Sequence, residues 1–304
     1  MIIEPKEYTY ETMPEYEDEV EGALEIEMTG NEVGLTYIPD VVYAKKPEGT
    51  LHLQIIVPSV FNDPERVFPC VVFAQGSAWM KQDVYRNVPY LSRLAERGYV
   101  VAIQEYRHSG IAKFPAPIED AKDAIRFMKK NCETYHVDPE KVVMMGDSSG
   151  GHVCMMTGLT AGSDLFDGSP EEKDLCRVKG MIDLYGAVDP TLPYGFPTTL
   201  NHQLPDSPEG MELGYNIREN NEKAQIAAAK NYASMAEVPV LILHGSKDKT
   251  VFCEESVQLY HALKEAGKDA AFCFVRHSDH GGAGFWKKEA IDLYDSFIQR
   301  CLKG

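Results

Sequence analysis

Residues 141–151, Lys141-Val142-Val143-Met144-Met145-Gly146-Asp147-Ser148-Ser149-Gly150-Gly151, run from a short apolar stretch through a glycine-bounded serine pair and on into HVCMMTGLTA. The apolar stretch reads as a buried strand opened by the Asp138-Pro139 turn, and the residues after the glycines read as an apolar helix. Between them lies G-x-S-x-G. Glycines two before and two after the serine permit a sharp strand-to-helix turn that exposes Ser148 Oγ above a sheet. The helix start behind it offers unpaired amide N–H groups and a positive dipole end. The motif alone arises by chance in about one such chain in ten. The alternative is a glycine-rich turn that binds phosphate or merely closes a loop, so the rest of the chain decides.

Upstream, YIPDVVYA and LHLQIIVP alternate around KKPEGT and predict an antiparallel hairpin. Strands CVVFAQ and YVVAIQEY then alternate with helices over Tyr85–Arg97 and Pro117–Cys132. Downstream, VKGMIDLYG, VPVLILHG and AAFCFV are further strands, with helices near Glu254–Ala266 and Glu289–Leu302. Apolar strands alternating with helices predict an α/β fold, a mostly parallel sheet covered on both faces. Residues 190–236, rich in Pro, Gly, Asn and Asp, read as a small cap-like insertion over the carboxyl ends of the strands, where open α/β sheets bind ligands.

A serine nucleophile at neutral pH needs a general base, and the base needs an orienting carboxylate. VPVLILHGSKD places Asp248 just past a strand, and AAFCFVRHSDHGG places His280 in the loop after the last one. The chain order Ser148, Asp248, His280 is that of a strand-elbow hydrolase. Asp279, His277 and Asp183 are rivals. His280 is preferred because Gly281 and Gly282 let a loop imidazole approach the serine; Asp183 sits inside a strand. An acyl-transfer site also needs N–H donors for the developing oxyanion. The loop Gln75-Gly76-Ser77-Ala78-Trp79 offers the amides of Gly76 or Ser77, to join that of Ser149. Asp147 and His152 are read as bracing the turn.

GDSSGGH, YRHSGIAKFPAPIEDAKDAIRFMKKN, DPEKVVMMGDSSGG and LILHGSKDKTVFCEESVQLYHALKEAG resemble the alpha/beta-hydrolase-fold carboxylesterases. The nearest group is the acetyl and feruloyl esterases where the hormone-sensitive-lipase-like and Bacteroidetes feruloyl-esterase-like branches overlap. The resemblance runs from about Val41 to Phe297. It implies Ser148 as nucleophile, His280 as base, Asp248 as the acid, and amides after Gln75 as the oxyanion hole. Two departures stand out: the family usually has His-Gly-Gly-Ala/Gly-Trp where this chain has Gln75-Gly76-Ser77-Ala78-Trp79, and Ala is commoner than Ser at position 149.

The expected activity is hydrolysis of short-chain acyl esters, acetyl esters of carbohydrate foremost, on a small-molecule or oligosaccharide substrate and without cofactor or metal. Trp79, Tyr106, Tyr185, Phe196 and Trp286 are candidate substrate contacts, each equally able to be packing residues. The insertion (LNHQLPDSPEG, YNIRENNEK) lacks the apolar stripe of an interface-active lipase. A feruloyl-type aryl esterase and an arylformamidase are the enzymatic alternatives. A ligand receptor on a hydrolase fold and a peptidase are the others.

Composition excludes several classes. The 304 residues carry 30 basic and 47 acidic side chains, a formal charge of −17. Such a surface repels phosphate backbones and anionic lipid heads, so neither nucleic acid nor membrane is an expected partner. Seven scattered cysteines without C-x-x-C read as reduced thiols. With no signal-peptide pattern at the start, they give a cytoplasmic expectation. Met1 to about Leu35 is a glutamate-rich arm with Lys6 as its one basic residue. Its tyrosines suit docking on the body or on a second subunit, and a homo-oligomer stays open. Residues 36–304 form the expected catalytic domain.

Overall fold

The computed structural model describes residues 5–192 and 199–303. A β-hairpin, β1 (Val33–Lys46) and β2 (Gly49–Val60), is followed by β3 (Phe68–Ala74), α1 (Val88–Ala95), β4 (Val100–Gln104), α2 (Ala116–Lys130) and β5 (Val137–Asp147). Then come α3 (Ser149–Leu159), β6 (Met181–Leu184), the short helices α4 (Pro208–Leu213) and α5 (Asn221–Ala224), β7 (Val240–Gly245), α6 (Cys253–Glu265), β8 (Ala270–Val275) and α7 (Lys288–Lys303). The eight strands form one sheet in the order β1-β2-β4-β3-β5-β6-β7-β8. The β1/β2 and β2/β4 pairs are antiparallel and the rest are parallel.

Because both faces are covered, apolar residues occupy successive positions yet divide by the two-residue pleat. Cys70, Val72 and Ala74 of β3, with Val142 and Met144 of β5, face α2, α3 and α6. Val71 and Phe73, with Val143 and Met145, face α1 and α7. Helix α3 is apolar all round and buried along its whole length, as befits a helix between the sheet and its neighbours.

Two local expectations shift. The helix expected over Tyr85–Arg97 is shorter, since Asn87 caps α1 and a proline occupies its first turn. The Asp138-Pro139 turn lies inside β5. Val137 pairs with Phe68, the register breaks, and pairing resumes with Val142 opposite Cys70. The Asp138 side chain still accepts the Glu140 N–H at 3.1 Å, so the turn chemistry survives as an irregularity within a strand.

Strand order reverses around β3, which has β4 on one side and β5 on the other. The crevice beyond the carboxyl ends of strands at such a switch point is where ligands bind in this architecture, and β3 and β5 lead there into Gln75-Gly76 and Ser148. Between β6 and β7 lie α4, α5 and the short 3-10 turns up to Met235, within the segment expected as an insertion at 190–236. The arm from residue 5 has neither helix nor strand before β1. The Asn62 N–H donates to Gly30 O at 2.9 Å and Tyr10 packs edge-on against Phe61, which ties the arm to the body. No described helix is long and apolar enough to cross a membrane.

Asp183 and Glu212 are buried without an ion-pair partner among the described residues. Burial pushes Asp183 up to about 8, against one backbone hydrogen bond from Gly186, and Glu212 of α4 up to about 9. An acid whose folded value lies above its unfolded value holds its proton more tightly when folded. The stability this allows at low pH is lost as pH rises from about 4 through the folded value. The double variant Asp183→Asn, Glu212→Gln therefore gains on wild type as pH rises. Thermal midpoints measured between about pH 5 and pH 9 will show the variant-minus-wild-type difference increasing with pH; a constant difference contradicts the assignment.

Candidate active site

The turn after β5 is built by close approach. A Cβ on Gly146 would lie 2.1 Å from Gly150 O, and one on Gly150 would lie 2.0 Å from Ala74 O. Neither distance is tolerable, so the glycines of the motif are required by crowding. The left-handed backbone belongs to Ser148 itself, at φ 53° and ψ −126°. Its N–H donates to Leu184 O at 2.9 Å, and its carbonyl accepts from Gly151 and Ala187. The serine is thereby locked at the tip with Oγ facing the crevice.

His280 Nε2 stands 2.8 Å from Ser148 Oγ, and His280 Nδ1 stands 2.7 Å from Asp248 Oδ2. The three residues named as nucleophile, base and acid meet in one hydrogen-bonded line. Asp248 Oδ1 accepts the N–H groups of Thr250 and Val251 at 2.8 and 2.9 Å. Burial pushes this carboxyl up, but hydrogen bonds from His244 and His280 and their charges outweigh burial and hold it well below the usual carboxylate range. It is an anion poised on an imidazole.

The rivals lie elsewhere. Asp279 binds the Lys249 ammonium at 2.9 Å and accepts the His280 N–H. His277 is exposed, with φ at 64°. Asp183 is packed where Gly151 and Gly186 leave room for it: a Cβ on either would lie 2.3 Å from its Oδ1.

In the loop after β3 both candidate oxyanion amides already have acceptors. Gly76 N–H donates to Asp147 Oδ1 at 2.7 Å, and Ser77 N–H donates to Ser149 Oγ at 2.9 Å. Neither amide points unpartnered at Ser148. Ser149 N–H opens α3, where no preceding turn supplies an acceptor. Gln75 Nε2 donates to Asp83 O and so anchors the loop. Tyr106 OH donates to Gln75 O at 3.0 Å and lies 3.2 Å from Ser149 Oγ. Ser149, where the resemblance expects Ala, therefore joins a buried hydroxyl network that grips the loop.

The expected substrate contacts are mostly interior. Trp286 is 2 % exposed and stacks on Tyr90 at 5.4 Å in the core beneath α1 and α7. It is a packing residue because its short 3-10 turn faces the sheet and not the crevice. Trp79 is likewise buried, edge-on to His152. Tyr185 packs edge-on against His280 at 4.8 Å and donates to Asp147 Oδ2 at 3.2 Å, so it braces the site where a substrate contact was expected. Phe196 lies outside the described residues. His152 is pushed down to about 4 by burial, and its Nε2 donates to Ala227 O at 2.9 Å, which fastens α3 to the insertion.

Sequence reasoning missed His244, whose Nε2 lies 3.2 Å from Asp248 Oδ2. The available signal was a histidine inside the otherwise apolar strand VLILHG, four residues before the aspartate.

With this geometry in hand, known proteins can be compared. The sequence profile of the BD-FAE family matches residues 53–263. The probable carboxylic ester hydrolase LipM of Mycobacterium tuberculosis is 26% identical over 223 residues, which are 69% of this chain and 49% of that protein. The chain spans about half the length of the curated relatives it matches first. Among solved structures, a truncated carbohydrate esterase from gut microbiota superposes with a TM-score of 0.76 at 23% identity, covering 91% of this chain and 99% of the other. The esterase Est2 of Thermogutta terrifontis with butyrate bound gives 0.68 at 24% identity, covering 90% and 95%. At these identities the superpositions speak for the fold. The profile match spans more than half of the sequence, and on that ground this chain, an α/β-hydrolase in architecture, belongs to the BD-FAE family.

Proposed function

We propose that this chain is a serine carboxylic-ester hydrolase that cleaves short-chain acyl esters, acetyl esters of carbohydrate foremost. The observation that carries the reading is the line Ser148 Oγ, His280 Nε2, His280 Nδ1, Asp248 Oδ2, with separations of 2.8 and 2.7 Å. In it Ser148 Oγ attacks the ester carbonyl as His280 Nε2 takes the hydroxyl proton. Asp248 holds the Nδ1–H and stabilises the imidazolium. His280 then returns the proton to the leaving alcohol, and a water activated by the same nitrogen releases the acid from the acyl-serine. Ser149 N–H faces the developing oxyanion. Ser77 N–H joins it once the Ser149 hydroxyl turns toward Tyr106. Gly76 takes no part, because its amide anchors the loop to Asp147. No cofactor enters these steps.

The substrate assignment rests on coarser support. The insertion is polar and short, which suits a soluble substrate. The buried rings of Trp79, Tyr185 and Trp286 offer no open face for an aryl acyl group, which favours acetyl over feruloyl. One structural neighbour is a carbohydrate esterase and another was solved with butyrate. Each of the seven cysteines is a free thiol, which accords with a reducing, cytoplasmic setting.

Hydrolysis of p-nitrophenyl acetate by the purified protein tests the nucleophile. Ser148→Ala is expected to lower kcat/KM by at least about a thousandfold with the thermal midpoint retained; equal activity in both proteins overturns the assignment. Acetylated xylo-oligosaccharides, methyl ferulate and N-formylkynurenine, compared at equal concentration, test the substrate class. Acetate release is expected to be at least about tenfold faster than either alternative, and faster ferulate or formate release replaces the carbohydrate reading.

A further inference from the structure

Asp248 touches two imidazoles, and the reaction above uses one of them. His244, on β7, is fully buried. Its Nε2 lies 3.2 Å from the same Asp248 Oδ2 that holds His280, and 3.3 Å from Val251 O. Its Nδ1 lies 2.8 Å from Ser256 Oγ in α6, also fully buried. A carboxylate and a carbonyl only accept, so Nε2 carries the hydrogen, shared between them. Nδ1 is then the acceptor, and the Ser256 hydroxyl donates. A histidine kept for packing alone would bury two polar ring atoms at a cost; here each has a partner, and the outer one is the aspartate of the site.

We propose that His244 is a positioning residue for ester hydrolysis, with Ser256 setting its tautomer and its Nε2–H holding the Asp248 carboxylate in register with His280. The inference rests on the Ser148, His280, Asp248 reading. Thr250 and Val251 hold Oδ1 through loop amides. On Oδ2 the other donor is the loop imidazole of His280 itself, so without His244 the carboxylate and that imidazole can shift together. His244 comes from a strand hydrogen-bonded on both sides, so it references the aspartate to the rigid sheet. The other titratable groups that sense this pair are His202 of the insertion and Cys253 at the head of α6, with Asp147 facing His280.

The test compares wild type, Ser148→Ala, His244→Phe, His244→Gln and Ser256→Ala on p-nitrophenyl acetate across pH, each checked for folding by its thermal midpoint. His244→Phe is expected to lower kcat about tenfold to a hundredfold, with KM within about twofold. Gln presents a donor and an acceptor at similar spacing, so His244→Gln is expected to return kcat to within about threefold of wild type. Should His244→Phe fail to fold, Ser256→Ala carries the comparison, with a smaller fall in kcat and KM again within about twofold. Equal losses of kcat in the Phe and Gln variants, or wild-type kcat in the Phe or Ala variant, overturn the proposal. If wild type is no faster than Ser148→Ala, the nucleophile reading fails and this inference falls with it. An active wild type with indifferent His244 and Ser256 variants overturns this inference alone.

Discussion

Ser148 occupies a backbone conformation that a residue with a side chain rarely adopts, at φ 53° and ψ −126°, and the rest of the site is arranged around keeping it there. Such a conformation costs about 1–3 kcal/mol and persists only where its surroundings over-determine it. Here they do. The peptide of Ser148 is bonded to β6 through Leu184 and to the segment after it through Ala187. The glycines on either side admit the carbonyls of Gly150 and Ala74 into space that a Cβ would fill. The strained turn, the packing of α3 against β3, and the reach of Oγ to His280 are one geometric condition.

Electrostatics then sort the carboxylates near that turn. Asp248 and Asp183 are both buried, yet they diverge. Asp248 receives two amides on one oxygen and two imidazoles on the other, so its charge is solvated by the protein. Asp183 sits among glycines with a single backbone donor and keeps its proton to about 8. Asp147 lies between these extremes. Burial raises it, but it accepts from Gly76 and Tyr185, and in doing so it ties the loop after β3 to the ring that packs on His280. Donor count at each oxygen, more than depth, decides which carboxyl is an anion.

The insertion is joined to the body by polar contacts. His202 binds Glu209 at 2.7 Å within it, while Lys230 reaches Asp189 at 2.6 Å and Asp189 N–H donates to Glu255 at 2.8 Å. Buried pairs of this kind are orientation-dependent, so they set how this segment sits on the body more than how firmly it is held. The loop after β3 is held in the same manner, by the hydroxyls of Tyr106, Ser77 and Ser149.

The sequence alone carried the strand and helix alternation, the elbow at Gly146–Gly150 and the order of Ser148, Asp248 and His280. These are local or ordinal properties: periodicity reports burial, and chain order reports which strand end a residue follows. The rest depended on distances between segments far apart in the chain. Nothing in QGSAW reveals that the amides of Gly76 and Ser77 meet Asp147 and Ser149, 71 and 72 residues away. Whether Trp286 and Trp79 are contacts or packing is not in their letters, since an aromatic residue reads the same in a crevice as in a core, and only packing separates the two. Asp183 and Asp248 were ranked by position, and their opposite charge states came from donors supplied by the fold. His244 was invisible because a lone histidine in an apolar strand acquires meaning only when β7 and α6 bring Asp248 to one of its nitrogens and Ser256 to the other.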